Sequence, residues 1–365
     1  MRLLTLLGLL ACAACSPMAL SDSAVAAPQG PRDPAVRYRN SDGSRIDKPW
    51  SEVLAWMWEA TVKKLPPPPS THVNGYDFPV VRDAQGTAPA PAEGLSVTWI
   101  GHATALIRLN GHTVLTDPHF SGRASPLSWV GMPRKVPTPY RVEALPHIDV
   151  VLISHDHYDH LDEPTVRRLA QQPGGPPVFL VPQGLGAWLA ARGIAAEEVA
   201  WWQPWKQGRL SAWALPAHHW SGRGLSDRHT SHWAGWAVQV GAERVYYAGD
   251  TGYGADFADI GRRMGPFDLA LIPVGAYEPR AFMKDQHVNP SEAVRIHQEV
   301  RAHHSLGVHW GTFELADEPL DAPLGELSRA AAEAGLAEGV FRLLKHGETW
   351  TLKGAVPGAP PPLAP

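Results

Sequence analysis

Seven consecutive residues, Ser154-His155-Asp156-His157-Tyr158-Asp159-His160, directly follow the apolar run Val150 to Ile153. A short apolar run bounded by polar residues reads as a buried strand, so the histidines sit in a loop at its C-terminal end. In α/β architectures that is where sites are assembled. Crowding imidazoles and carboxylates in one loop is costly, because protonated rings repel one another and desolvated ones shift their pKa. Neutral imidazole and carboxylate are, however, the ligands that Zn²⁺ takes. The heptapeptide therefore predicts a metal-binding loop on an α/β scaffold.

Composition narrows the chemistry further. The chain has eighteen His but only two Cys, Cys12 and Cys15, both in the first fifteen residues. The rest of the chain thus holds no disulfide pair, no thiolate catalyst and no Cys-based zinc site. The charge is 32 Lys and Arg against 36 Asp and Glu, a net of −4 with no basic block, which argues against nucleic acid as a partner. A chain of 365 residues buries a large core without needing a metal to fold.

Met1-Arg2 and the nine-residue apolar run Leu3 to Ala11 read as a signal peptide. The run is too short to span a bilayer, which takes ~20 residues. The small residues before Cys12 and before Cys15 resemble a bacterial lipobox, in which either Cys12 or Cys15 would be lipidated. Ala13 or Ser16 after the Cys resembles outer-membrane sorting. The expected location is the bacterial cell envelope, lipid-anchored at the periplasmic face of the outer membrane. The expected organisation is a signal peptide over 1–15, a tether over 16–48, an N-terminal helix and Pro-rich extension over 49–93, a folded domain over 94–352 and a disordered tail over 353–365. The helix is expected at Trp50 to Lys64, stopped by Pro66 to Pro69.

Within the folded domain, strands are expected at Ser96 to Ile100, Ala105 to Leu109 and Thr113 to Thr116. Asn110-Gly111 between the last two is a two-residue hairpin signal. Further strands are expected at Val150 to Ile153, Val178 to Val181, Leu269 to Pro273, Leu306 to Val308, Phe341 to Leu344 and Trp350 to Leu352. Helices are expected at Glu163 to Gln171, Leu185 to Arg192, Pro290 to Val300 and Leu324 to Ala334. Early hairpins followed by strand–helix alternation indicate two mixed sheets covered by helices.

His-x-His-x-Asp-His after a buried strand resembles the signature of the metallo-β-lactamase-fold hydrolases. Further elements of that superfamily follow in order: Asp117 after the early hairpin, His219 after Leu210 to Leu215, Asp250 closing Tyr246-Tyr247-Ala248-Gly249-Asp250, and His309 after Leu306 to Val308. The longer motifs Gly101-His102-Ala103-Thr104, Leu115-Thr116-Asp117-Pro118, Ala248 to Tyr253, Gly275-Ala276-Tyr277-Glu278-Pro279-Arg280, Gln286-His287-Val288 and His309-Trp310-Gly311-Thr312-Phe313 are similar to the N-acyl-phosphatidylethanolamine-hydrolysing phospholipase D family. That resemblance covers roughly residues 50 to 350.

The resemblance implies an αββα sandwich, a four-layer fold of two mixed sheets with outer helices, as the hydrolase domain over 94–352. It also implies two Zn²⁺ per chain. His155, His157 and His219 would hold one and Asp159, His160 and His309 the other, with Asp250 between them. A carboxylate has two oxygens and can link metals ~3.5–4 Å apart, whereas an imidazole serves one. His219 rather than His218 is indicated, because adjacent side chains leave a strand in opposite directions and the family has His before Trp. Asp117 and His102 would support the ligands from behind. Asp250, Asp159 and His287 are the implied catalytic residues, and Tyr158 and His287 the implied substrate contacts.

The implied activity is that of a zinc-dependent phosphodiesterase of phospholipase D type. It would split N-acyl-phosphatidylethanolamine or a related phospholipid into a phosphatidic acid and an N-acylethanolamine through a metal-bridging hydroxide. Its partners would be the phospholipid substrate, a membrane surface reached through the lipid anchor, and a second copy in a homodimer. Two departures limit the carry-over. The animal members have Asn where this chain has Asp156, and a Lys where it has Ser221-Gly222-Arg223, so bile-acid regulation is not transferred. A lactonase or sugar-phosphate hydrolase of the same fold, and a non-catalytic metal-containing lipid-binding lipoprotein, stay open as alternatives.

Eight of the fifteen Trp lie between Trp188 and Trp236. Their rings either form an apolar groove or membrane belt, or fill the core between sheets. Trp50, Trp56 and Trp58 are the other candidates for interfacial contact.

Overall fold

The computed structural model describes residues 36–48, 51–52, 55, 76–82, 88, 94–224 and 226–352. Cys12, Cys15, the apolar leader, the Pro66 to Pro69 spacer and the tail lie outside the described residues. Of the helix expected at Trp50 to Lys64, only Ser51, Glu52 and Ala55 are described, and each is helical.

Two seven-stranded sheets dominate. The first runs β16-β1-β2-β3-β6-β7-β8, built from β1 (Leu95–Gly101), β2 (Thr104–Leu109), β3 (His112–Thr116), β6 (Val150–Leu152), β7 (Val178–Pro182), β8 (Ala196–Val199) and β16 (Thr349–Leu352). The second runs β15-β14-β13-β12-β11-β10-β9, from β9 (Pro204–Gln207), β10 (Leu210–Leu215), β11 (Gly235–Val240), β12 (Glu243–Tyr247), β13 (Phe267–Pro273), β14 (Ala302–Val308) and β15 (Phe341–Arg342). In each sheet the pairings are antiparallel in one half and parallel in the other. Asn110 and Gly111 both have positive φ, 46° and 86°, and close the β2–β3 hairpin as that dipeptide favours.

Strand β6 shows why its run is apolar throughout. Val150 and Leu152 face the core between the sheets with Val97, Trp99 and Ile107. Val151 and Ile153 face the other way, onto Val166 and Leu169 of α1 (Glu163–Leu169) and Leu189 of α2 (Gly186–Ala190). A parallel strand buried on both faces has no room for polar alternation. The second sheet is covered on its outer side by α3 (Asp256–Arg263), α5 (Pro290–Glu299) and α6 (Ala322–Glu333), and α4 (Arg280–Met283) precedes α5. The layers are therefore helix, sheet, sheet, helix.

Several elements differ from the sequence expectation. Strands β8 and β9 have too few apolar residues to be recognised, and Pro204 is tolerated because β9 is an edge strand. Helix α3 buries only Phe257, Ile260 and Gly261, too few for a periodic pattern. Residues 36–48, expected within the tether, pack against the domain. Asn40 and Ile46 are buried, and Tyr38 N–H donates to the His229 carbonyl at 2.9 Å. None of the eight Trp between 188 and 236 is exposed: Trp233 and Trp236 are fully buried and the others partly so. Trp236 fills the core and Trp201, Trp202, Trp205 and Trp213 pack against it, whereas Trp188 borders a cavity and Trp220 lies against His157.

Candidate metal centre

Five strands of the two sheets deliver side chains to one end of the sandwich. Asp117 follows β3, the heptapeptide follows β6, His219 lies past β10, Asp250 past β12, and His309 directly follows β14. His102 occupies the β1–β2 connection and His287 lies just before α5. The two sheets meet here, where the His309 N–H donates to the His102 carbonyl at 2.9 Å. His102, Asp117 and His309 all have left-handed backbones, with φ of 53°, 30° and 63°. Such conformations cost about 1–3 kcal/mol each and cluster at functional sites. Gly249 explains itself as well: a Cβ there would lie 2.8 Å from that of Ser154.

The hub of the site is Asp250. Its Oδ2 lies 3.0 Å from His160 Nε2, 3.1 Å from His309 Nε2, 3.9 Å from His219 Nε2, 4.0 Å from His155 Nε2 and 3.8 Å from His287 Nδ1. Asp159 Oδ2 faces His160 Nε2 at 3.3 Å, His309 Nε2 at 3.4 Å and His102 Nε2 at 2.9 Å. His157 Nδ1 is 2.8 Å from His155 Nε2 and 3.3 Å from His219 Nε2. Ligand atoms thus gather into two main groups, His155, His157 and His219 on one side and His102, Asp159, His160 and His309 on the other. Asp117 with His155 and His160, and Asp250 with His287 and His309, form two overlapping groups.

What lies behind the rings fixes which nitrogen faces inward. Asp117 Oδ2 accepts from His160 Nδ1 at 2.6 Å, the Ser154 hydroxyl at 2.5 Å and the Tyr247 hydroxyl at 2.5 Å, and Oδ1 accepts from Ser154 N–H at 2.7 Å. With four donors on it, this carboxylate orients His160 rather than facing the hub. Ser154 Oγ in turn accepts from His155 Nδ1 at 2.8 Å, and the Gln286 carbonyl accepts from His219 Nδ1 at 3.0 Å. Three rings therefore present Nε2 to the interior, as ligating histidines do when their other nitrogen is tied down. Asn40 Oδ1 accepts from both His219 N–H and Trp233 Nε1, each at 3.0 Å.

Electrostatics divide the histidines. Burial, reinforced by neighbouring imidazoles, holds His155 and His219 well below the ordinary histidine pKa. His157 is brought by burial to about 3, although nearby carboxylates oppose it. Burial likewise takes His287 down to about 3. For His160 and His309 burial is outweighed by facing carboxylates, Asp250 first, which hold His160 well above its usual value and push His309 up to about 9. Asp159 and Asp250 thus call for positive charge, which protons on His160 and His309 or a bound cation can supply. The buried atoms His157 Nε2, His160 Nε2, His309 Nε2, His287 Nδ1 and Asp250 Oδ1 have no hydrogen-bond partner. Unpaired buried polar atoms are rare, and imidazole nitrogens with carboxylate oxygens are a donor set for Zn²⁺. The residues present fit a metal pair.

The remaining candidates fall at the edges. The Tyr158 hydroxyl donates to the Arg223 carbonyl at 2.9 Å, and the Arg223 guanidinium stacks over its ring at 4.0 Å. Asn289 and Glu292 close a capping box on α5, so His287 is not needed as the cap. Arg280 holds the His287 carbonyl at 2.8 Å and is itself held by Glu292. His218 points away from the hub, Nδ1 to the Asp285 carbonyl at 2.8 Å. Ser154, Tyr247, Asn40 and Arg280 are additions that sequence reasoning did not single out, although Ser154, Tyr247 and Arg280 stand inside quoted motifs.

The family described as beta-lactamase superfamily domain matches residues 112–310. An N-acyl-phosphatidylethanolamine-hydrolyzing phospholipase D of Caenorhabditis elegans is 43% identical over 274 residues, 70% of this chain and 76% of that protein. A metal-dependent hydrolase of Anaeromyxobacter is 30% identical over 273 residues, 71% of this chain and 88% of that protein. Among solved structures, a metallo hydrolase from the archaeon Ignicoccus hospitalis superposes with a TM-score of 0.54 at 22% identity, covering 71% of this chain and 99% of its own.

Proposed function

The chain belongs to the β-lactamase superfamily as a metal-dependent hydrolase, and from that premise we propose that it is a dizinc phosphodiesterase of phospholipase D type. Its substrate would be N-acyl-phosphatidylethanolamine or a closely related phospholipid. The observation that carries the reading is the single Asp250 oxygen faced by five imidazole nitrogens at 3.0–4.0 Å. The substrate follows from the likeness to the nematode phospholipase D. With the lipobox-like leader at Cys12 or Cys15, the activity would face envelope phospholipids.

His155, His157 and His219 would hold one zinc, Asp159, His160 and His309 the other, and Asp250 would lie between them. When bound, the pair supplies Lewis acidity, which neutralises charge on a phosphoryl group and acidifies water. The chain's own residues do the rest. Asp117, Ser154 and the Gln286 carbonyl hold the protons on Nδ1 of His160, His155 and His219, leaving each Nε2 lone pair inward. His102 braces Asp159. His287, kept neutral by burial, offers one ring N–H that can donate a hydrogen bond to a phosphoryl or leaving-group oxygen. Tyr158 and Arg223 form the wall beside the metal loop.

The test is a lipid-extract screen by mass spectrometry with the zinc-loaded protein beside Asp250→Asn. Release of N-acylethanolamine and phosphatidic acid by the parent alone supports the reading. Intact lipids together with opening of lactones or cleavage of sugar phosphates would move the protein to another substrate class of the same fold.

A further inference from the structure

Among the described residues, six large hydrophobic side chains are exposed, and four of them stand within six positions: Leu127, Trp129, Val130 and Met132, with Trp129 at 73%. They are presented by a built hairpin. β4 (Arg123–Ala124) pairs with β5 (Met132–Pro133), the Arg123 guanidinium donates to the Gly131 carbonyl at 2.7 Å, and Arg134 N–H donates to the Gly122 carbonyl at 2.9 Å. Gly131 is obligatory at the neck, with φ of 87° and a would-be Cβ only 2.6 Å from that of Ser125.

Two further features sit at the same place. The stretch from Pro118 to Val142 has four Lys or Arg and no Asp or Glu, in a chain whose net charge is −4. Arg134 is turned inward onto His119, Lys135 pairs with Glu314 at 2.7 Å and Arg141 with Glu143 at 3.7 Å, leaving Arg123, itself half-buried, as the cation of the hairpin. Beneath the flap lies a cavity of about 970 Å³, bordered by Leu127, Trp129, Arg123, Trp188, Arg223 and Tyr158, the last inside the metal loop. The apolar tip is therefore part of the wall of a cavity that Tyr158 of the metal loop also borders.

We propose that the Arg123–Pro133 hairpin is a membrane-docking flap, which inserts Leu127, Trp129, Val130 and Met132 into an anionic lipid surface and sets the cavity against it. Tryptophan with aliphatic neighbours and a flanking arginine, here Arg123, is the composition that partitions at a bilayer interface, with the ring among acyl chains and the cation among headgroups. No helix of the described residues is long and apolar enough to cross a membrane. Its purpose, delivering lipid to the cavity, rests on the phospholipase reading. The docking itself does not.

The test uses the full-length chain with Cys12→Ser and Cys15→Ser, which removes acylation, and Ser128→Cys labelled with a polarity-sensitive fluorophore. Vesicles of phosphatidylglycerol with phosphatidylethanolamine should shift the label's emission to the blue, and phosphatidylcholine vesicles should do so more weakly. Adding Leu127→Ser and Trp129→Ser should weaken binding roughly tenfold or more, while the circular dichroism spectrum and the thermal unfolding transition stay those of the parent. Unshifted emission with vesicles, or unaltered binding by the double variant, overturns the proposal. So does a chain that is dimeric in sedimentation only while Leu127 and Trp129 are intact, because the patch would then seat a second copy. Vesicle binding without any cleavage of phospholipid would sink the substrate assignment and leave the flap standing.

Discussion

Replacing Asp117 with Asn changes one oxygen into an amide nitrogen at the most heavily solicited carboxylate in the site. Three donors converge on Oδ2, from His160, Ser154 and Tyr247, and one on Oδ1 from Ser154 N–H. Asn keeps the Oδ1 bond and sets N–H against the other three. The two hydroxyls can rotate and accept. The His160 ring can accept only by moving its proton from Nδ1 to Nε2, and that removes the lone pair facing Asp250. Bonds to a charged acceptor contribute about 1.5–3 kcal/mol each, and neutral replacements about 1. A net loss of about 2–4 kcal/mol follows, or about 4–10 °C in Tm for a domain of this size. Metal affinity should fall ~10–100-fold, as when a ligand's supporting carboxylate is lost. Calorimetry and zinc titration against a competing chelator read both quantities. An Asp117→Asn protein with the parent's zinc affinity would refute the claim that this carboxylate sets the tautomer of His160.

Other consequences are as definite. Asn40→Ala strands one buried donor, His219 N–H, while Trp233 Nε1 keeps the Ala217 carbonyl at 2.9 Å as its acceptor. Denaturant unfolding should show a loss of about 1–3 kcal/mol, and an effect below about 0.5 kcal/mol would mean residues 36–48 do not brace the site. Burial raises the Glu318 carboxyl to about 7 against backbone N–H donors that include Ala276 and Glu278. The folded state therefore binds its proton more tightly than the unfolded chain. That contribution is complete below about pH 4.5 and fades as the pH rises to about 7, by at most about 3 kcal/mol. Glu318→Gln should flatten this slope in a pH series of unfolding curves, and an unchanged slope would exclude Glu318 as its source. His287→Ala should lower kcat on a phosphodiester by about 10²–10³, the loss of one hydrogen-bond donor to the reacting group, with the zinc content unchanged. Loss of metal instead would make His287 a ligand.

The legible part of the site was the part written in strand-end motifs. The heptapeptide after β6, Asp250 after β12 and His309 after β14 could be placed because a buried strand announces itself by an unbroken apolar run, and its end fixes where the next side chains go. His102, Asp117 and His287 stand in the longer motifs, and Tyr158 in the heptapeptide itself. What escaped had no local pattern. Asn40 sits in a polar segment whose composition is that of a linker, and its role depends on a contact 179 positions away in sequence. The left-handed backbones of His102, Asp117 and His309 leave no trace in residue type. The flap was overlooked because Trp density drew attention to 188–236, where the rings are at least partly buried. A single exposed Trp129 is a property of the folded surface.

The central claim is a two-metal centre arranged about Asp250, and metal stoichiometry tests it most directly. Elemental analysis of the zinc-reconstituted protein after exhaustive desalting should give two zinc ions per chain for the parent and at most one for Asp250→Asn, with both variants folded by circular dichroism. One zinc ion per chain in the parent, or two in Asp250→Asn, would contradict the account.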